Sequence, residues 1–277
     1  GRKISFFQEC LFCLGNNRNQ GTTETMTDRS KVALVTGAGT GVGKAVAQML
    51  LQNGYCVTLS GPRGELLEAA ASESDAGSDA VFCYVADLRH SEEVDRLFDA
   101  ASARFGRIDL LFNNAGIGAR AVDVDELEIS EWQAVLDTNV HGAFLCARRA
   151  FGQMKAQDPK GGRIINNGSI SAYVPRVNSA PYTVSKHAMS GLTRSLALDG
   201  RQHNIACGQI DIGNALTDMA RPLGEGTRQP NGTILAEPLM DVHHVATSVL
   251  HMAELPLDTN VLFMNVMARD MPFVGRG

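Results

Sequence analysis

The sequence predicts a doubly wound α/β fold: one parallel sheet with helices on both faces, in a single domain. Three observations carry this. Short apolar runs alternate with segments of helical period from Lys31 onward. The first run ends in a glycine-rich turn that opens a helix. No repeat and no linker-like stretch divides the remainder, and 277 residues suit one large domain.

The elements follow in order. Val32 to Val35 is a first strand, and Ala45 to Leu51 forms a helix that Gly54 ends. Val57 to Leu59 is a second strand, and Leu66 to Ala71 begins a second helix. After a third strand, Val81 to Val85, Ser91 is expected to cap a helix whose Val94, Leu97, Phe98, Ala101 and Phe105 share one face. Ile108 to Phe112 is a fourth strand, and Ser130 is expected to cap one long helix reaching Met154. Arg163 to Asn166 belongs to a fifth strand, and Pro181 to Leu198 is helical. Ile205 to Ile212 is a sixth strand, Val242 to Met252 a helix, and Val261 to Val266 a last strand. Strands this apolar, separated by helices, pair in parallel through right-handed crossovers.

Composition narrows the function. Hydrophobic residues make up 44% and charged residues 20%, with a formal net charge of -5. An acidic balance argues against nucleic acid as a partner, because neutralising phosphates needs clustered Lys and Arg. No apolar run reaches the roughly 18–20 residues that span a bilayer, so no membrane partner is expected. The six cysteines are no disulfide framework in a chain of this length, and a reducing cytoplasm suits them. Cys10 and Cys13 have metal-like spacing, but no second pair or nearby His completes a site, and no metal is expected. Residues 1–28 are set apart as an N-terminal extension, mobile or foreign to the domain, with Met26 fitting a natural start; the domain proper is 29–277.

Ligands of such folds bind at the carboxyl ends of the strands, so the first strand-to-helix turn draws attention. It reads Thr36-Gly37-Ala38-Gly39-Thr40-Gly41-Val42-Gly43. The pattern G-x-x-x-G-x-G fits through Gly37, Gly41 and Gly43, and lets backbone N–H groups approach a pyrophosphate at a helix N-terminus. Downstream, Tyr182 and Lys186 are four apart and share a helix face, with Ser169 thirteen residues before Tyr182 at a strand end. A nearby ammonium favours phenolate, and a neighbouring hydroxyl can hold a substrate oxygen while the phenol moves a proton.

Taken together, the glycine turn, Asn113-Asn114-Ala115-Gly116 after the fourth strand, Asn139, Ser169, Tyr182 and Lys186 resemble the short-chain dehydrogenase/reductase family, from about Lys31 to Thr217. The resemblance implies a Rossmann-type fold and hydride transfer between NAD or NADP and an alcohol or carbonyl. It implies that Tyr182 is the general acid/base and that Ser169 positions the substrate oxygen. Lys186 would ease ionisation of the tyrosine and bind the nicotinamide ribose, and Asn139 would hold a water in the proton relay. Thr40 and Val42 would join the glycines at the cofactor. Asp87 and Leu88 would meet the adenine, Asn114, Ala115 and Gly116 would line the adenosine side, and Thr217 would meet the carboxamide. The family commonly forms homodimers or homotetramers.

Two departures stand out. Where the family often has Pro-Gly after the sixth strand, this chain reads Ile212-Gly213-Asn214, which leaves the local backbone open. The usual Asp-Gly-Gly after the last strand is replaced by a stretch with Met264, Met267 and Met271, suited to a subunit interface or to core. A segment of about 25 residues, 213–238, is too long for an ordinary connection and is expected to be a substrate lid.

Cofactor choice leans to NADP, with NAD open. The end of the second strand, Leu59-Ser60-Gly61-Pro62-Arg63-Gly64, lacks the carboxylate that would hold an adenosine ribose hydroxyl. Arg63 could pair with a 2′-phosphate instead, and Lys44 could add charge. The rival function is a catalytically idle dinucleotide-binding sensor or structural subunit, against which the intact Ser169, Tyr182 and Lys186 speak.

Overall fold

The computed structural model describes residues 30–274. The expected extension 1–28, with Cys10, Cys13 and Met26, lies outside the described residues. The strands are β1 (Val32–Thr36), β2 (Cys56–Gly61), β3 (Val81–Val85), β4 (Leu110–Asn113), β5 (Gly162–Asn167), β6 (Ile205–Gly213), β7 (Thr227–Arg228), β8 (Ile234–Leu235) and β9 (Phe263–Met267). The helices are α1 (Gly41–Gln52), α2 (Gly64–Ser72), α3 (Ser91–Phe105), α4 (Ile129–Leu136), α5 (Ala143–Ala156), α6 (Ala180–Asp199), α7 (Arg221–Glu225) and α8 (Val242–Glu254).

Seven strands form one sheet in the order β3-β2-β1-β4-β5-β6-β9, every neighbouring pair parallel. The chain order reverses between β1 and β4, which opens a crevice at their carboxyl ends. Alternation along each strand sorts side chains to two cores. Ala33 and Val35 of β1 face α1 and α8, packing with Val46, Leu50, Val245 and Val249. Leu34 faces the other way, with Val94, Phe98, Leu145 and Met154 of α3 and α5. Full burial of residues such as Leu34, Phe98 and Phe112 contributes about 2–3 kcal/mol each.

The doubly wound parallel sheet is as the sequence predicts; the helix starts differ. Ser91 is the first residue of α3, His90 sits at the cap, and neither side chain caps. The Glu93 carboxylate instead reaches back to the Asp87 backbone N–H at 2.8 Å. Ser130 lies inside α4, whose cap position is Glu128. The helix expected to run unbroken to Met154 changes character at a π-helical turn, Asp137–Gly142, before α5 resumes. Gly142 there packs against Leu88, whose Cβ would lie 3.1 Å from any side chain at that position.

The methionine-rich end packs within the chain. Met271 is buried with Ile170 and Ala268, and Met267 and Met271 press against the Gly213 backbone, leaving 2.7 Å and 2.6 Å for a β-carbon. Cys146 and Cys207 are buried, and burial pushes their thiols up to about 12, so both behave as small hydrophobes. Among the described residues no helix is long and apolar enough to cross a membrane.

Candidate active site

The turn between β1 and α1 is shaped to approach an anion. Gly37 and Gly41 hold φ of 63° and 53°, the left-handed region. A β-carbon on Gly43 would lie 2.2 Å from the Gly37 carbonyl oxygen, so only glycine closes this turn. Thr40 stands at the cap of α1 without a side-chain cap bond, leaving the first N–H groups of the helix to a ligand. Beneath the turn, Asn114 donates to the Thr36 carbonyl at 2.8 Å and accepts from Asn167 Nδ2 at 2.8 Å, joining the ends of β1, β4 and β5. The Asn114 and Ala115 N–H groups both donate to Thr36 Oγ1, at 2.9 Å and 3.0 Å.

Ser169, Tyr182 and the end of β6 meet across one cavity of about 330 Å³. Ser169 leaves β5 in extended conformation, with its N–H held by Asp211 Oδ1 at 3.0 Å and its Oγ accepting the Ser171 N–H at 3.1 Å. Tyr182 lies in the first turn of α6, half-buried, and the same cavity touches it. Lys186, one turn on, is buried; its ammonium donates to the Asn167 carbonyl at 2.7 Å and sits 5.4 Å from the centre of the Tyr182 ring. Asn139, in the π-helical turn, accepts the Ile117 N–H at 2.8 Å and donates to the Ile117 carbonyl and to Ser185 Oγ, at 2.9 Å and 3.1 Å. Its side chain thus braces the 114–118 segment against α6, and Gly116 packs against it.

Two polar clusters beside the cavity escape motif-based reasoning. Asp211, inside β6, accepts from Ser169 N–H, from Gln209 Nε2 at 2.7 Å and from the Tyr173 hydroxyl at 2.7 Å. Burial raises its carboxyl above the usual range, although these bonds and the Lys186 charge oppose the rise. Burial, with the Asp211 bond and charge, pushes Tyr173 up to about 12. The second cluster joins Arg176, Asn214, Gln229 and Glu237. A carboxylate within the apolar run Ile210-Asp211-Ile212 was the available signal for the first cluster. The second, spread over 62 positions, had none.

A family model described as short chain dehydrogenase matches residues 31–228. The chain belongs to the short-chain dehydrogenase family. It is 35% identical to a 3beta-hydroxysteroid dehydrogenase of Mediterraneibacter gnavus over 65% of this chain, a match that spans 64% of that relative's own length. It is 34% identical to an A-factor type gamma-butyrolactone 1'-reductase of Streptomyces virginiae, over 70% of this chain and 77% of that one. A 3-ketoacyl-(acyl-carrier-protein) reductase from Brucella melitensis complexed with NADH superposes with a TM-score of 0.76 at 25% identity, covering 86% of this chain and 97% of that one. An actinorhodin polyketide ketoreductase with NADPH gives 0.76 at 27% identity, covering 86% and 96%.

In this short-chain dehydrogenase the remaining expected residues fall as follows. Thr217 abuts the glycine turn: a β-carbon on Gly41 would lie 3.2 Å from its Cγ2. The missing proline is absorbed by Asn214, which takes φ of 55° directly after β6. Arg63 is exposed, its side chain has no hydrogen bond or ion pair among the described residues, and it borders the same hollow as Gly37, Thr40 and Gly61. Lys44 pairs with Glu73 at 2.6 Å and is not among the residues that line that hollow. Asp87 holds Arg89 through both carboxylate oxygens, and those bonds bring its carboxyl down to about 2. Leu88 is buried in the core, so only its backbone is open to a ligand. The glycine cradle and the free N–H groups fit a dinucleotide, and the fold is an NAD(P)-binding one.

Proposed function

We propose that the chain interconverts an alcohol and its carbonyl compound with NAD(P), and that Tyr182 moves the proton. The observation that carries this is the Tyr182 hydroxyl. Among the described residues it has no protein hydrogen-bond partner, and Tyr182 lines the cavity with Ser169 and Thr217, with the Lys186 ammonium 5.4 Å from its ring centre. A bound nicotinamide supplies or takes the hydride at the carbonyl carbon. Ser169 Oγ donates to the substrate oxygen and fixes its place. In the reducing direction Tyr182 gives its proton to that oxygen as the double bond becomes single, and Lys186 favours the phenolate left behind. Asn139 keeps the 114–118 segment and α6 in register beside this proton path.

Gly37, Thr40, Gly41, Val42 and Gly43 would cradle the pyrophosphate, with Thr217 near the nicotinamide end. Asp87, Leu88, Asn114, Ala115 and Gly116 would border the adenosine side. The segment 213–238 is the lid over the substrate. Exposed Phe144 of α5 and Val184 of α6 suit a second copy, as in a homodimer or homotetramer. The test is oxidation of NADPH or NADH with a panel of ring and chain ketones. Turnover is expected, and Tyr182→Phe is expected to lower it at least a thousandfold while cofactor still binds. Binding of cofactor with no oxidation by any ketone would favour a sensor. Turnover by the variant within tenfold of the natural chain would remove Tyr182 from the role.

A further inference from the structure

Charge enters the wall of the cavity at one place. Among the described residues that line it, only Arg176 carries a formal charge; the rest are small, polar-neutral or apolar, among them Val42, Ile212, Met219 and Leu223. Lys186 lies behind the wall, not on it. The exposed Asp218 and Arg221 pair with each other at 3.3 Å, outside the lining.

That single cation is already engaged. The Arg176 guanidinium makes two bonds to the Glu237 carboxylate, both 2.7 Å, and a third to Asn214 Oδ1 at 2.8 Å. The Glu237 side chain is only 2% exposed and also accepts from Asn214 Nδ2 at 2.9 Å and Gln229 Nε2 at 3.0 Å. Burial pushes its carboxyl upward, but the bonds from Arg176, Asn214 and Gln229 outweigh this and hold it at about 2. It is therefore charged wherever the protein is folded and working. A substrate carboxylate entering the cavity would either go unpaired or displace Glu237 and leave that group buried without its cation. Both are strongly unfavourable.

We infer that the substrate is an uncharged, largely apolar alcohol or ketone, and that Glu237 sets this preference by keeping Arg176 from pairing with a substrate carboxylate. The inference rests on the proposed alcohol–carbonyl chemistry and adds the class of compound on which it acts. The cavity of about 330 Å³ is at the small end for ligand sites, and Val42 and Thr217 in its lining leave part of it to the cofactor, so a compact substrate fits best. Glu237 is a specificity residue and touches no reacting atom. It lies 61 positions from Arg176, near the end of the segment 213–238, so the pair ties that end of the segment to the cavity wall.

Matched ketones that differ only in charge give the test: methyl 4-oxocyclohexanecarboxylate against 4-oxocyclohexanecarboxylate, and a bicyclic ketone with and without a carboxylate. With the full chain and NADPH, kcat/KM for each ester or neutral ketone is expected to exceed that of its acid by about a hundredfold. Glu237→Gln leaves Arg176 with an uncancelled charge at the wall, and is expected to narrow that ratio at least tenfold, chiefly through a lower KM for the acid. Adding Arg176→Gln to Glu237→Gln is expected to restore the preference for the neutral partner. A purely structural loss would lower both members of a pair together and leave the ratio unmoved, which would overturn the role of Glu237. Acid and neutral partners used within threefold of each other by the natural chain would overturn the inference while leaving the chemistry standing. No oxidation of either NADPH or NADH with any ketone would overturn the chemistry and the inference with it.

Discussion

Gly168 and Asp211 fit each other as backbone against carboxylate: a β-carbon on Gly168 would lie 2.0 Å from Asp211 Oδ1 and 2.6 Å from Gln209 Nε2. The contact matters because the same Oδ1 holds the N–H of Ser169, the next residue, at 3.0 Å. Any side chain at 168 must push the carboxylate away and release Ser169 from its place on the cavity. Gly168→Ala is therefore expected to cost about 2–3 kcal/mol of stability and to lower kcat more than it raises KM. Urea unfolding and steady-state kinetics check both. An alanine variant as stable and as active as the natural chain would show that the carboxylate moves without consequence.

Asp211 itself has a pH signature whose sign follows from burial. Its folded carboxyl titrates above the unfolded value of 3.8, so the native state binds its proton more tightly. Stability from this group is then fullest below the unfolded value and falls as pH rises through the folded one. Asparagine can keep every bond: its oxygen accepts from Ser169 and Gln209, and its amide donates to a Tyr173 hydroxyl that reverses its role. Asp211→Asn is expected to be at least as stable as the natural chain at pH 7, with an advantage that grows from pH 4 upward. Parallel stability curves for the two proteins would mean that burial costs this carboxylate nothing.

Much of this was legible beforehand, because the strands of the main sheet are continuous apolar runs and the site motifs sit at their carboxyl ends. Strand bounds moved by one or two residues at most ends, as where β5 gained Gly162 and Asn167. Three things were not legible. The π-helical turn at Asp137–Gly142 adds a wider turn without changing composition or apolar spacing, so a 3.6-residue period passes through it unnoticed. The β7–β8 ribbon has two residues per strand, and α7 has five including Pro222 and Gly224, too few to show a period. The Arg176–Glu237 pair joins two loops, where polar residues signal solvent by default; nothing local marks a glutamate as buried.

That pair anchors the end of the segment 213–238, whose two limbs, before and after the ribbon tip, have different expected behaviour if it acts as a lid. The far limb is tied down: Glu237 N–H donates to the Leu223 carbonyl at 2.9 Å, Met240 N–H to Asn214 at 2.9 Å, and Leu216 N–H to Met240 at 2.8 Å. The ribbon tip at Asn231 and Gly232 is exposed. Hydrogen exchange without ligand is expected to be slow at Leu216, Glu237 and Met240 and fast from Asp218 to Ala220 and at the tip. Cofactor with a ketone or alcohol is expected to slow the stretch 217–228 at least tenfold. Exchange there unchanged by both ligands together would make the segment a fixed surface loop and not a lid.

Cofactor choice is expected to turn on Arg63 rather than Lys44, the two phosphate partners that the sequence offers, because their surroundings differ. Lys44 is committed to Glu73, and that bond holds the Glu73 carboxyl below its usual range, so reaching a ligand would mean breaking the pair. Arg63 stands at the cap position of α2, exposed and with a side chain unpaired among the described residues, beside the hollow that leads from Gly61 to the glycine turn. No carboxylate stands at the end of β2 to repel a 2′-phosphate, since Gly61 and Pro62 precede Arg63. A planar guanidinium free of other partners can meet a phosphate through two bonds, a charge-assisted contact worth about 1.5–3 kcal/mol. NADPH is accordingly expected to bind more tightly than NADH. Arg63→Ala should weaken NADPH about tenfold or more and leave NADH within twofold, while Lys44→Ala should leave their ratio unchanged. Fluorescence titration of each protein with both cofactors decides it. Tighter NADH binding by the natural chain, or an Arg63→Ala variant with full NADPH affinity, would assign the preference to NAD and leave Arg63 to solvent.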